Sequence, residues 1–166
     1  MAATSVILLL GSNDIEASKI VEKAIGVLGI SVGDVVKQSQ EYRSAAYGFT
    51  SDREFVNRAV EITTTHDAYE TLRRINCIEA LLGRNRDEER RISAERNEAY
   101  ASRPIDIDII FYGDQTFEDN RLTIPYHFLD EREYALRPVV EIAADRQHPA
   151  LRLTPGQMLE LLTKSK

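Results

Sequence analysis

The chain has 166 residues, with 43% hydrophobic and 29% charged residues, a length that suits one domain with a modest core. Its formal net charge of −6 and pI near 5.2 argue against a nucleic-acid or membrane-surface binder, which normally presents a basic face. The single cysteine, Cys77, excludes an intramolecular disulfide and suits a reducing compartment.

Val6-Ile7-Leu8-Leu9-Leu10 is a continuous apolar run closed by Gly11-Ser12-Asn13, which predicts a buried strand and a turn. Asn13 and Glu16 then give a cap and a charged third position for a helix. Its apolar face is Ala17, Ile20, Val21, Ala24, Ile25 and Leu28, and Gly29 is placed to end it. Residues 30–43 read as extended. Residues 44–54 read as a loop around Gly48, followed by a β-branched strand from Phe55 to Thr63. A second helix is expected from Asp67, with Glu70 as its capping partner, to Gly83. Ala68, Leu72, Ile75, Ile78 and Leu82 form its buried stripe.

Residues 85–102 are polar, charged and nearly free of large aliphatics. They read as a loop, and one longer than the usual connection of about 4–6 residues. Pro104 to Tyr112 alternates as a strand. Two short helices close the chain, one near Asp130 and Glu133 that Pro138 should interrupt, the other at Thr154-Pro155-Gly156-Gln157. The order strand, helix, strand, strand, helix, strand is that of an α+β, ferredoxin-like βαββαβ core. It implies an antiparallel sheet with helices packed on it and a C-terminal extension, in a single domain over residues 1–166. The N-terminus carries no secretory pattern, and no apolar run approaches the roughly 20 residues that cross a bilayer. A cytoplasmic protein without membrane or nucleic-acid partners is expected.

The chemistry concentrates in Arg103-Pro104-Ile105-Asp106-Ile107-Asp108-Ile109-Ile110-Phe111. Side chains alternate along a strand, so Ile105, Ile107, Ile109 and Phe111 should share one face. Asp106 and Asp108 share the other, about 7 Å apart. Asp is depleted in strands, and two convergent carboxylates suit Mg²⁺. A half-buried strand with a wet second face would give the same pattern. Of the basic residues 16 are Arg, eight of them between Arg73 and Arg103 with no Lys among them. The Arg fork matches phosphate oxygens. Arg84, Arg86 and Arg103 bracket the long loop and are the candidates for phosphate. Arg90, Arg91 and Arg96 read as partners of the loop's own acids. No P-loop, protein-kinase glycine loop, nucleophile elbow or zinc spacing is present.

The string Arg103-x-x-Asp106-Ile107-Asp108-Ile109-Ile110 resembles the signature of the 6-hydroxymethyl-7,8-dihydropterin pyrophosphokinases of folate synthesis. Supporting matches are Gly11-Ser12-Asn13, Tyr42-Arg43, Asn57, Glu79, Gly83-Arg84-x-Arg86, Arg121-Leu122-Thr123-Ile124-Pro125, Arg132 and Arg137-Pro138-Val139. The resemblance implies transfer of pyrophosphate from ATP to the pterin hydroxymethyl group, with release of AMP. It implies two Mg²⁺ ions on Asp106 and Asp108, with Arg84 and Arg103 on the transferring phosphates. It places Glu79, Arg86, Arg121, Leu122, Thr123, His127 and Arg132 with the nucleotide. Gly11, Ser44, Tyr47, Phe55, Asn57, Tyr100 and Tyr134 are placed around the pterin. A monomer is expected, with these two small molecules as its partners. The chain departs from the family at Ser44-Ala45-Ala46, Asn76, Tyr100 and Tyr126-His127. These departures motivate the alternative of a diverged nucleotide- or pterin-binding relative without this catalysis.

Overall fold

The computed structural model describes residues 2–166. In chain order it contains β1 (Thr4–Ser12), α1 (Ala17–Ser31), β2 (Asp34–Gln38), β3 (Tyr42–Ser44), β4 (Phe55–Thr64) and α2 (Ala68–Leu81). There follow α3 (Arg86–Arg96), β5 (Asp106–Tyr112), β6 (Phe117–Glu118), β7 (Thr123–Ile124), α4 (Glu133–Ala143) and α5 (Pro155–Lys164). The main sheet runs β2-β4-β1-β5, with β3 continuing the β2 edge along β4, and every pairing in it is antiparallel. β6 and β7 form a separate ribbon.

β1 lies inside the sheet and is covered on both faces, which is why its sequence is a run of apolar residues rather than an alternation. Val6, Leu8 and Leu10 pack with Val21, Ala24, Ile25 and Leu28 of α1 and Ile75 and Ile78 of α2. Ile7 and Leu9 face the other way, onto Leu136 and Val139 of α4 and Met158 of α5. The C-terminal extension is therefore the second cover of the sheet. Each fully buried side chain of this size contributes roughly 1.5–3 kcal/mol.

Several local expectations change. Of the segment expected to be extended, residues 30–31 end α1 and the rest carries two strands, interrupted where Ser39 takes over the pairing with β4. Its Oγ accepts from the Ala59 N–H at 2.9 Å, and its own N–H donates to the Ala59 carbonyl at 2.9 Å. Asn13 does not cap α1, whose N-cap position is Glu16 with no side-chain hydrogen bond, and the helix runs through Gly29 to Ser31. The polar stretch after Gly83 is not a loop throughout, because it contains α3. Pro138 lies inside α4 without ending it, held by burial of Pro138 and Val139 against the sheet. Phe111 does not share a face with Ile107 and Ile109. A bulge opposite Ile7 and Leu8 inserts Ile110, turns Phe111 onto the α4 side and brings Tyr112 round to the other. Asp67 caps α2 by accepting from the Glu70 N–H, and Thr154 and Gln157 form a reciprocal capping box on α5, both as expected.

Candidate active site

A cleft of about 390 Å³ opens at the end of the sheet where β1 stops and where β4 and β5 begin. Leu9, Gly11, Asn57, Asp106 and Asp108 form its floor. The loop 45–54, helix α3 and residues 99–103 rise on one side, with Tyr126, Phe128, Arg132 and Tyr134 on the other.

One half is charged. Asp106 and Asp108 project from the same face of β5 because Ile107 between them is buried in the core. Arg84 Nη1 donates to Asp106 Oδ1 at 2.8 Å and to Glu79 Oε2 at 2.7 Å, while Arg103 Nε lies 3.7 Å from Asp106 Oδ2. Glu79 also accepts from Arg86 Nη2 at 2.7 Å and from the Ile107 N–H at 2.9 Å, so it ties α2 to β5 beneath the cleft. Burial pushes the Glu79 carboxyl up, opposed by the charge of Arg84. Asp108 is raised well above the usual carboxylate range, first by burial and then by the charges of Asp106 and Glu79, against Arg103 and Arg84. A bound cation would relieve both the burial and the repulsion from Asp106 that disfavour the Asp108 carboxylate. Among the described residues no cluster of three or more His, Cys, Asp or Glu could hold one alone. A carboxylate pair without an all-protein cage suits Mg²⁺, which takes one or two carboxylates and completes its shell with water and substrate phosphate.

The other half is aromatic. Asn57 spends both amide protons on the Tyr42 carbonyl at 3.0 Å and Ser44 Oγ at 2.8 Å, leaving its carbonyl oxygen to read a ligand. The Arg103 guanidinium sits between Phe55 and Tyr100, 5.5 and 5.4 Å from their centroids. Arg132 is buried between Tyr47 and Phe128, 4.3 and 3.9 Å from the rings, and donates to the Tyr126 and Tyr134 hydroxyls at 2.9 and 3.1 Å. The Nε atoms of Arg103 and Arg132 are both buried without a hydrogen-bond partner. Two guanidinium cations on the cleft wall suit an anionic ligand. Burial and the nearby Asp108 charge push the Tyr126 phenol up, so it stays a protonated donor.

Asn13, fully buried, stitches the rim. Its Nδ2 donates to Ser102 Oγ at 2.9 Å and Ser51 Oγ at 3.4 Å, and its Oδ1 accepts from the Arg103 N–H at 3.0 Å. The rim segments also bond each other through the Ala99 N–H and the Gly48 carbonyl at 3.1 Å. Gly48 is required there, because its φ is +77° and a Cβ would meet Tyr100 at 2.6 Å.

The cleft gathers Arg84, Arg86, Arg103, Asp106, Asp108, Arg132, Gly11, Ser44, Tyr47, Phe55, Asn57, Tyr100 and Tyr134 from the residues expected. Glu79 lies beneath it. Arg121, Leu122, Thr123 and His127 do not line it. Arg121 is exposed with its guanidinium 5.1 Å from the Tyr69 ring, Leu122 is buried in the core, Thr123 is exposed on β7, and His127 is exposed against Phe128. Of the pair Tyr126-His127, it is Tyr126 that faces the cleft. Sequence reasoning also missed Phe128, Glu89 and Ser93 on the cleft wall and the tie made by Asn13, while Arg90, which also lines the wall, pairs with Asp87 as a partner of the loop's own acids. The readable signal for Glu89 and Ser93 was Asn85 with Glu88 three residues on, a helix start that puts residues four apart on one face.

The family model described as 7,8-dihydro-6-hydroxymethylpterin-pyrophosphokinase matches residues 7–144. A 2-amino-4-hydroxy-6-hydroxymethyldihydropteridine pyrophosphokinase of Methylorubrum extorquens is 36% identical over 137 residues, which are 82% of this chain and 80% of that protein. The protein of the same name from Aquifex aeolicus is 32% identical over 148 residues, 89% of this chain and 86% of its own. Among solved structures, a Plasmodium falciparum HPPK-DHPS chain superposes with a TM-score of 0.74 at 15% identity. The match covers 98% of this chain and 44% of that one, so this chain spans less than half of the solved protein and the likeness is one of fold.

Proposed function

Because the chain belongs to the 7,8-dihydro-6-hydroxymethylpterin-pyrophosphokinase family, we infer that it transfers an intact pyrophosphoryl group from ATP to the hydroxymethyl oxygen of 6-hydroxymethyl-7,8-dihydropterin. The products are AMP and the dihydropterin diphosphate, in folate biosynthesis. The observation that carries this reading is one cleft with two unlike halves. An Asp pair among arginines suits a metal-bound polyphosphate, and an amide among aromatic rings suits a flat heterocycle.

Phosphoryl transfer needs positioning and neutralisation of spreading charge more than covalent help. Asp106 and Asp108 would hold two Mg²⁺ ions, which when bound neutralise and polarise the phosphate oxygens. Arg84 and Arg103 orient the transferring group, Arg84 anchored through Nη1 to Glu79 and Asp106 and Arg103 beside Asp106. Arg132, its guanidinium held between Tyr47 and Phe128, adds a fixed positive charge to the cleft wall. Asn57 accepts from a ring N–H of the pterin, while Phe55, Tyr100, Tyr47 and Tyr134 exclude water around it. Glu79 acts through Arg84 and Arg86 as a positioning residue. Binding without catalysis gains no support, since the Asp pair and both arginines stand in the cleft.

We further read the β2-β4-β1-β5 order as ferredoxin-like, each helical crossover skipping one strand, and residues 1–166 as one catalytic domain. A monomer in the cytoplasm completes the proposal. The test is an AMP-release assay with ATP, Mg²⁺ and the pterin. AMP should form only when all three are present, and a flat trace would overturn the reading.

A further inference from the structure

We propose that Glu89 is an internal competitor for the phosphate site. In the free protein its carboxylate occupies the open fork of Arg84, and it must give way when the ATP phosphates bind. The proposal rests on the ATP-dependent reading above.

Arg84 divides its donors between two sides. Its Nη1 serves Glu79 and Asp106, whereas Nε and Nη2 form a two-point pair with Glu89, at 3.0 Å to Oε2 and 3.1 Å to Oε1. This fork-to-fork geometry is the one a phosphate would otherwise take. The pair is well shielded, with side-chain exposures of 7% for Arg84 and 14% for Glu89. Four carboxylates, Glu79, Glu89, Asp106 and Asp108, face three guanidinium groups, Arg84, Arg86 and Arg103. A polyphosphate enters such a site most readily if one resident negative charge leaves it.

The anchoring of the carboxylates decides which one. Glu79 is almost fully buried and bonded to the backbone of β5, and Asp106 belongs to that strand. Glu89 belongs to α3, which buries none of its residues. That helix is stable on its own terms. Asn85 caps it by accepting from the Glu88 N–H, Asn97 ends it in the left-handed conformation, and Arg91 bridges Glu88 and Glu95 within it. It can therefore shift as a helix without uncovering core. Arg86 keeps its first turn attached through Glu79. Glu89 is thus the carboxylate whose departure costs least and frees two donors of Arg84.

The test measures binding of the magnesium complex of a non-hydrolysable ATP analogue by calorimetry. If the competitor is engaged in most free molecules, Glu89→Gln should tighten binding roughly three- to tenfold, because affinity rises with the fraction of competent protein. KM for ATP should fall in step while kcat does not rise, whereas a merely structural role would weaken binding. Glu88→Gln removes the same charge one residue away, from a partner of Arg91, and should change affinity by less than about twofold. Unchanged or weaker binding in Glu89→Gln would overturn the proposal, as would an equal gain in Glu88→Gln. If circular dichroism shows that Glu89→Gln has lost α3, Glu89→Asp decides. It keeps the charge but withdraws it by one methylene, and should give a smaller gain of the same sign, with no gain counting against the idea. Tighter binding in a protein that releases no AMP would uphold the competitor and remove the pyrophosphokinase reading. AMP release with unchanged affinity would do the reverse.

Discussion

Asp108 is held where its own charge is disfavoured, by burial and by Asp106 and Glu79 together. Such a residue trades stability for function. Asp108→Asn is accordingly expected to melt at the same or a higher temperature while Mg²⁺-dependent AMP release falls by roughly 10²-fold or more. Thermal melts followed by circular dichroism, with the AMP assay on the same preparations, check both halves, and near-normal turnover would remove Asp108 from the metal site. Asn13 is the opposite kind of residue, touching no expected ligand yet fixing the Arg103 backbone. Asn13→Ala leaves that N–H and the serine hydroxyls without their partner, which should cost about 1–3 kcal/mol. Because Arg103 then loses its anchor, kcat should fall further than KM rises. Asn13→Asp can still accept from the Arg103 N–H but cannot donate to Ser102, so partial rescue of kcat is expected. If both variants lose stability but keep full kcat, Asn13 is structural only.

Among the elements, those marked by an apolar run or stripe were legible in the sequence. β1 announced itself by its apolar run, α2 by Asp67 and Glu70, and α5 by its Thr-Pro-Gly-Gln start. Asp106 and Asp108 were legible because alternation fixes their face whatever the rest of the fold does. What stayed hidden either lacks an apolar pattern or depends on partners far along the chain. Helix α3 is polar all round, so no apolar stripe marks it, and internal ion pairs and caps hold it instead. The bulge that turns Phe111 is set by pairing with β1, and Asn13 was committed to Ser102 and Arg103 rather than to the helix beside it. The turn joining α4 to α5 likewise carries no apolar pattern. There His148 is buried, and its Nδ1 accepts from the Ala150 and Leu151 N–H groups at 3.1 and 2.9 Å. Burial pulls its pKa below the ordinary 6.5, partly opposed by Asp130. The unfolded chain therefore binds a proton that the folded one resists. The stabilising contribution is complete above about pH 6.5 and erodes as pH falls below it, by up to about 1.4 kcal/mol per pH unit. Urea unfolding between pH 7.5 and roughly 5 should show this loss. His148→Asn, whose Oδ1 can accept from the same turn, should flatten it. An unchanged pH slope in that variant would place the titration elsewhere.

At the scale of the whole molecule, a net charge of −6 coexists with a cleft that binds a polyanion, because placement decides what the total does not. The sheet is a plate with two independent covers, and the cleft opens at one end of it. Leu8 and Leu9 are adjacent in sequence and both buried, yet they belong to different sides. Leu8 packs in the α1 and α2 core, while Leu9 packs in the α4 and α5 core and also forms cleft floor, opposite Asp108 in the ladder. Leu8→Ala and Leu9→Ala should each destabilise the protein by about 2–5 kcal/mol, the usual cost of such a cavity. Their kinetic consequences should differ. The space left by Leu9 adjoins the floor that seats Asp108 and the α4 side that carries Arg132 and Tyr134, so KM for both substrates should rise. The space left by Leu8 lies behind the sheet, and KM should hold wherever the variant stays folded. Denaturant titrations matched with steady-state kinetics at a temperature where both variants are folded would separate the two. If KM moves equally in both, the sheet does not insulate one face from the other, and the cleft depends on the whole core rather than on the cover that carries it.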